Sequence, residues 1–465
     1  MPSNTSRKGA SIRITAAVSV LLQIMFFVQC ATASATEITF WTTEVNPERQ
    51  AVIEYLVRAF RINHPDIAVN VRGVEENKIA AELARAREAG SGPDMIGCAS
   101  DLIVSFDSRG WTNFAETGRV ISGIGRNNFY PGALNKLRLA NGRFCGIPFN
   151  GWVQGIWYRK DWFEEKGLAP PDTWDNILKA ARAFHDPENG RYGILVGTRA
   201  DSYAEQIFTH LALSAGGREF SKNGKVVFDS PEIIKTARFY KELAKYTPPG
   251  PQWWRGRDFY MQGKLAMMFY STFIMDDFAI ESVAADSLGG KNFPDLNGTS
   301  FDVNLLENTC VVPVITGTRK AGFGVVHALG LLDTGSRERQ EATGCFVNFL
   351  FREDAYITWL HMVPGGMLPV LKSVTRNPAF YRDAQGVFHK YSRQRIEKVI
   401  SGFDSLKSFS FADGVLLSKA AQASALGIVP AMIDKIVNRG VPAEQAVHEA
   451  AAELETIEED LPEKP

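Results

Sequence analysis

The chain has 465 residues, with 51 Lys and Arg against 52 Asp and Glu. Hydrophobic residues make up 45% and charged residues 22%, ordinary globular proportions that exclude a disordered, collagen-like or low-complexity chain. The length exceeds what one compact core fills, so two or more lobes are expected, and the near-zero net charge argues against a dedicated nucleic-acid binder.

The first 35 residues read as a secretory leader. Arg7, Lys8 and Arg13 stand without an acid, an apolar run follows from Ile14 to Val28, and Ala33-Ser34-Ala35 supplies small residues for cleavage after Ala35. The run is short for a membrane span. Cys30 lacks the small preceding residues of a lipid-attachment site, since Phe27-Val28-Gln29 stand there. The leader holds three of the 51 basic residues and no acid, so the remainder carries 48 basic and 52 acidic side chains. With no further long apolar run, an exported soluble protein is expected. Cys98, Cys145, Cys310 and Cys345 remain. Export permits disulfides in any of three pairings, and buried free thiols fit equally well.

In chain order, Glu37 to Trp41 alternates as a strand. Residues 47–63 place Val52, Leu56, Ala59 and Phe60 on one helical stripe, which His64-Pro65-Asp66 ends. Ile67, Val69 and Val71 predict a second strand, residues 76–89 a helix, and Asp94 to Gly97 a third strand. This alternation predicts a parallel sheet with crossover helices. After Phe144 it resumes, with a helix from Asp172 to Phe184 and a strand from Tyr192 to Val196. Ser230 caps a helix that opens on Pro231 and runs to Lys245. A buried strand follows from Lys264 to Tyr270, then an apolar segment over 321–332, a helix over 337–351, and a mostly helical remainder from about 390 with an acidic tail from Glu453. Residues 246–257 and 286–313 read as long loops rich in Gly, Pro and Asn.

Catalytic and metal motifs are missing from the sequence. There is no Gly-x-Ser-x-Gly elbow and no phosphate loop. Gly322-Phe323-Gly324 starts a dinucleotide-like pattern, but His327 takes the third glycine position. The seven histidines are scattered without a His-x3-His pair, and Asp295 to Asp302 lacks the alternating ligands of a calcium loop. No cofactor and no metal are expected.

Several stretches together resemble a known family: Ile38-Thr39-Phe40-Trp41, Gly92-Pro93-Asp94-Met95, Gly146-Ile147-Pro148-Phe149-Asn150, Ile156 to Asp161, Pro171-Asp172-Thr173-Trp174, Gly263 to Met267, and Gly365-Gly366-Met367-Leu368-Pro369. Their order across nearly the whole exported chain resembles family 1 of the extracellular solute-binding proteins, the carbohydrate-binding type that includes maltose-binding protein. The resemblance implies an α/β periplasmic-binding-protein fold of type II, with two lobes joined by a hinge and a ligand held in the cleft. It implies crossings near Pro148, Pro313 and Pro364, so that 36–148 with 314–364 form one lobe and 149–313 with 365–465 the other. It further implies a periplasmic or extracellular monomer that hands a small carbohydrate to the permease subunits of an ABC importer, without chemistry and without nucleic acid. Two features depart from the pattern: Arg159 replaces the family's usual Asn, and the 286–313 insertion is longer than in the maltose protein.

Sugars have apolar C–H faces and a rim of hydroxyls, so aromatic rings and hydrogen-bonding groups suit them. Carried over by resemblance, the expected binding residues are Trp41 and Glu44 after the first strand, and Asp101 after the third. Asn150 and Trp152 follow the first crossing, where the family's carboxylate is replaced by Trp152. Phe273 matches a stacking tryptophan, with Tyr270 and Ser271 beside it, and Gly365 and Gly366 match a glycine pair that lets backbone approach ligand. Trp253 and Trp254 sit on a long loop that reaches toward the cleft. Bland readings stand beside these: Trp41 as core, Asp101 as a helix cap, Trp253 and Trp254 as a loop anchor, and the glycines as a turn. The expected solute is a neutral sugar or sugar-like compound. The alternatives are a cationic osmolyte or polyamine in the same fold, held by an aromatic box, or a secreted carbohydrate hydrolase.

Overall fold

The computed structural model describes residues 35–412 and 415–457 together with Met1. The expected leader, all but its two end residues, lies outside the described residues, as do Cys30 and the end of the acidic tail.

β1 (Thr36–Thr42) pairs in parallel with β2 (Ile67–Gly73) on one side and β3 (Met95–Ala99) on the other. The helix Pro47–Asn63 forms the first crossover, opened by the Asn46 side chain accepting from the Glu48 and Arg49 amides, with proline at its first position. It buries Ile53, Leu56 and Phe60, while Val52 and Ala59 are half-buried beside them. The helix Glu76–Glu88 forms the second crossover and buries Ile79 and Leu83.

Two long strands join this parallel unit to a second one. β4 (Ile147–Arg159) and β5 (Tyr192–Leu195) precede β6 (Leu265–Ser271), which pairs in parallel with β5 and antiparallel with the end of β4. β7 (Thr309–Val312) pairs with the same end of β4, and β8 (Val314–Thr316) turns back onto β9 (Lys320–Leu331). β9 pairs with β8 at its start and with β3 at its end. Between them β4 and β9 lie antiparallel from Ile147–Leu329 to Gln154–Phe323, with a bulge between Pro148 and Asn150. β10 (Leu368–Pro369) adds to β4 at Asn150 and Gly151. The sheet order is β2-β1-β3-β9-β4-β6-β5, so β4 and β9 are shared by both α/β lobes.

The expected elements form where the patterns place them, with two adjustments. The helix expected from Asp172 starts at Trp174, because the Thr173 hydroxyl accepts from the Asn176 amide and so stands outside as the cap. The expected loop over 286–313 begins inside the helix Glu281–Leu288 and ends in the short helix Leu305–Asn308 and β7, whose Val311 and Val312 are buried. Gly322-Phe323-Gly324 lies within β9 rather than at a strand-to-helix turn, so it offers no phosphate cradle. Cys98, Cys145, Cys310 and Cys345 are all free thiols, and Cys98 and Cys145 are buried as small apolar groups.

Candidate functional site

Parallel α/β units collect ligand groups at the carboxyl ends of their strands. β3 ends at Ala99 and passes directly into the helix Ser100–Ser108, which puts Asp101 in the first turn. After β5, the Asp201 carboxylate accepts from the Tyr203 and Ala204 amides and caps the helix Ser202–Ala215. The Tyr203 hydroxyl donates to the Phe269 carbonyl at 2.6 Å and fixes that helix to β6. Helical spacing then sets Ser202, Glu205, Gln206 and Thr209 on one face.

A cavity of about 170 Å³ lies where these two helix starts meet. Asp101 and Lys136 line it from the lobe that holds β1 to β3, and Ser202, Glu205, Gln206, Thr209 and Glu219 from the lobe that holds β5 and β6. β9 contributes Phe323, Gly324 and Val325, while Ser408 to Ser410 and the helix Ser418–Leu426 complete the wall. Ser410 donates to the Asp101 carboxylate at 3.3 Å, and its hydroxyl lies 2.8 Å from that of Ser408.

Two buried polar groups in this wall lack protein partners. Glu219 is 2% exposed and its Oε2 accepts no hydrogen bond. Burial raises its carboxyl well above the usual range, and Glu205 and Asp101 push the same way. The Glu205 carboxyl is pushed up to about 7, chiefly by burial, with Asp101 adding and the Ser424 hydroxyl opposing. Lys136 is 6% exposed, and among the described residues its ammonium has no hydrogen bond or ion pair. Burying a polar atom such as Glu219 Oε2 costs on the order of 1–3 kcal/mol until something pairs with it.

One turn further along the same helix, His210 is fully buried. Its Nε2–H donates to the Ala321 carbonyl at 3.1 Å, and Nδ1 accepts from Gln154 at 3.3 Å. The ring is therefore neutral, and burial holds its pKa down at about 4.

The sequence-expected residues fall into separate places. Asp101 lines the cavity, and half-buried Trp152 stands edge-on to Phe323 with ring centres 6.2 Å apart. Trp41 packs in the core beneath the helices 76–88 and 100–108, with the Arg72 guanidinium 4.5 Å above its ring. Glu44 is buried and accepts from Arg49 at 2.8 Å. Asn150 is buried and accepts from the Trp359 indole at 3.3 Å.

Phe273, Gly365 and Gly366 come together: a Cβ on Gly366 would stand 2.3 Å from the Phe273 ring, and one on Gly365 2.7 Å from the Thr272 carbonyl. Tyr270 is buried and accepts from Arg257 at 3.4 Å, while Ser271 ends β6 opposite Gln154. Trp254 is 43% exposed under Arg255 and Arg257, and Trp253 packs on Phe293 with ring centres 4.9 Å apart. None of these last residues lines the cavity. Sequence reading missed Lys136, Glu205, Glu219, Ser408 and Ser410. For Glu205 a signal existed, the Asp201 cap with polar residues at helical spacing behind it. Lys136 and Glu219 carry none.

The family profile of the bacterial extracellular solute-binding proteins matches residues 45–308. A putative ABC transporter periplasmic-binding protein of Escherichia coli K12, YcjN, is 27% identical over 423 residues, covering 90% of this chain and 92% of that one. The mannitol-binding protein of Pseudomonas aeruginosa is 26% identical over 221 residues, covering 46% of this chain and 49% of that one. Among solved structures, maltose-bound MalE3 of T. maritima superposes with a TM-score of 0.64 at 20% identity, covering 90% of this chain and 99% of that one. A solute-binding protein of Agrobacterium radiobacter K84 in complex with ribitol gives 0.66 at 17% identity, covering 91% of this chain and 98% of that one. The matched profile spans more than half of the sequence, and the chain belongs to the bacterial extracellular solute-binding protein family.

Proposed function

We propose that this protein binds a sugar or sugar-like polyol in the cavity between its lobes and delivers it, chemically unchanged, to the permease of an ABC importer. The observation that carries this reading is the cavity itself. It lies at the carboxyl ends of β3 and β5 and combines hydroxyl, amide and carboxyl groups with the rings of Phe323 and Phe409. Hydroxyl-bearing rings need this mixture, with apolar surface for the C–H face and hydrogen-bonding groups for the rim. The relatives support it, since their names and bound ligands include mannitol, maltose and ribitol.

In this reading Asp101 is a direct ligand group and Trp152 backs the aromatic wall. Phe273 with Gly365 and Gly366, and Trp253, Trp254 and Tyr270, stand outside the cavity lining. In this reading 36–148 with 314–364 form one lobe and 149–313 with 365–465 the other. β4 and β9 form the hinge, and residues 1–35 direct export before removal near Ala35. A panel of mono- and oligosaccharides and polyols, followed by intrinsic tryptophan fluorescence and calorimetry, tests the reading. Saturable binding of at least one member at about micromolar affinity is expected. No response across the panel overturns it, and turnover of a bound oligosaccharide would replace it with a hydrolase.

A further inference from the structure

Of the two acids the sequence offers, Glu44 and Asp101, Asp101 lines the cavity, which brings two more carboxyls to it. Asp101, Glu205 and Glu219 line the same 170 Å³ space, and among the described residues Lys136 is the one basic side chain in the wall. Burial raises the Glu205 and Glu219 carboxyls, and the nearby Asp101 pushes both the same way. Glu219 Oε2 is buried, lines the cavity and is unpartnered. Lys136 is a mostly buried residue of the same wall, and among the described residues its ammonium has no partner. Ser202, Thr209 and Ser408 also line the cavity.

We infer that the solute is an amino sugar of single-ring size, whose ammonium is held by Glu205 and Glu219 beside Asp101 while its hydroxyls reach Lys136 and the serine and threonine hydroxyls. This rests on the reading of the cavity as a sugar site and names the class of sugar. The physical reason is charge balance. Among the described residues three carboxyls face one lysine, and an ammonium brings positive charge that favours their ionised forms while it donates to the unpartnered Glu219 Oε2 and to Glu205 and Asp101. A plain hydroxyl satisfies an acceptor but brings no charge that favours the ionised carboxyls. At about 170 Å³ the space is on the scale of a single ring.

The test compares glucosamine, galactosamine and mannosamine with glucose, galactose and mannose by calorimetry at pH 7.5, on the exported chain. At least one amino sugar is expected to bind at least tenfold tighter than its parent. Its heat should also differ between phosphate and Tris buffers, because the bound ammonium drives a proton off the carboxyl pair. Glu219→Gln should shrink that preference to below threefold. Glu205→Gln serves as a second variant should the first fail to fold. A parent sugar binding as tightly as its amino counterpart overturns the inference and leaves sugar binding intact. So does preference for glucuronic acid, or binding confined to other neutral members of the wider panel. Silence from every carbohydrate overturns the underlying reading instead.

Discussion

His210 and Arg257 show how much of this protein's stability rests on single buried polar side chains. His210 has an unfolded pKa near 6.5 and a folded value of about 4, because burial disfavours its charged form. A lowered folded value means that the unfolded chain takes up the proton first. Stability from this group is therefore complete above pH 6.5 and falls as the pH drops toward 4, by about 3 kcal/mol in all. Urea denaturation at pH 7.5, 5.5 and 4.5 checks this. His210→Gln, which keeps a hydrogen-bonding group without a titration, should lose less over the same interval, and parallel losses in both proteins would refute the assignment. Arg257 pairs with the Asp277 carboxylate at 2.8 Å, and the two side chains are 13% and 2% exposed. Removing the guanidinium leaves Asp277 buried and unpaired. Arg257→Met should therefore cost about 3–5 kcal/mol in chemical denaturation. A loss below 1 kcal/mol would mean that water reaches Asp277. The same physics explains why Glu219 is informative: its carboxyl has equally little solvent and no arginine.

At the scale of elements, the order of strands and helices follows from local chemistry. Pro47 opens the first helix behind the Asn46 cap, and Pro231 opens another behind the Ser230 hydroxyl, which accepts from the Ile233 amide. The caps satisfy amides that a helix start otherwise leaves open. The turn over 363–367 is set by packing instead. Gly365 has φ of +92°, and Gly366 lies against the Phe273 ring so closely that a side chain would displace it. Gly366→Ala should cost about 1–3 kcal/mol by overpacking, read as a lowered denaturation midpoint with unchanged slope. Tolerance of alanine at this position would show that the Phe273 ring can swing away, and would free it for contact with a ligand. The glycine pair was readable in the sequence as a place of close approach. What approaches it, a ring of its own chain, was not.

The whole molecule is two α/β lobes that share β4 and β9, and a solute held between them binds the folded form alone. At a hundredfold excess over its dissociation constant, such a solute adds about 2.7 kcal/mol to stability. Thermal denaturation with a bound sugar should therefore shift upward, and small-angle scattering should report a more compact particle if the hinge closes on it. An upward thermal shift without compaction would confine the motion to side chains. The sequence by itself determined the elements, because hydrophobic period, caps and turn residues act over a few neighbours and leave local marks, while its resemblance to a known family pointed to the two-lobed class and offered Asp101 as a candidate. It also placed Trp41 and Trp152 close to the strands that carry them, but not what they touch. Only the tertiary structure decided the cavity's membership. Asp101, Lys136, Glu205, Glu219 and Ser410 lie far apart in the chain and meet only because β9 and the ends of β3 and β5 bring them together. Charge and burial act through space, and a carboxyl that lacks a partner cannot be told from one that has it until every neighbouring segment is in place.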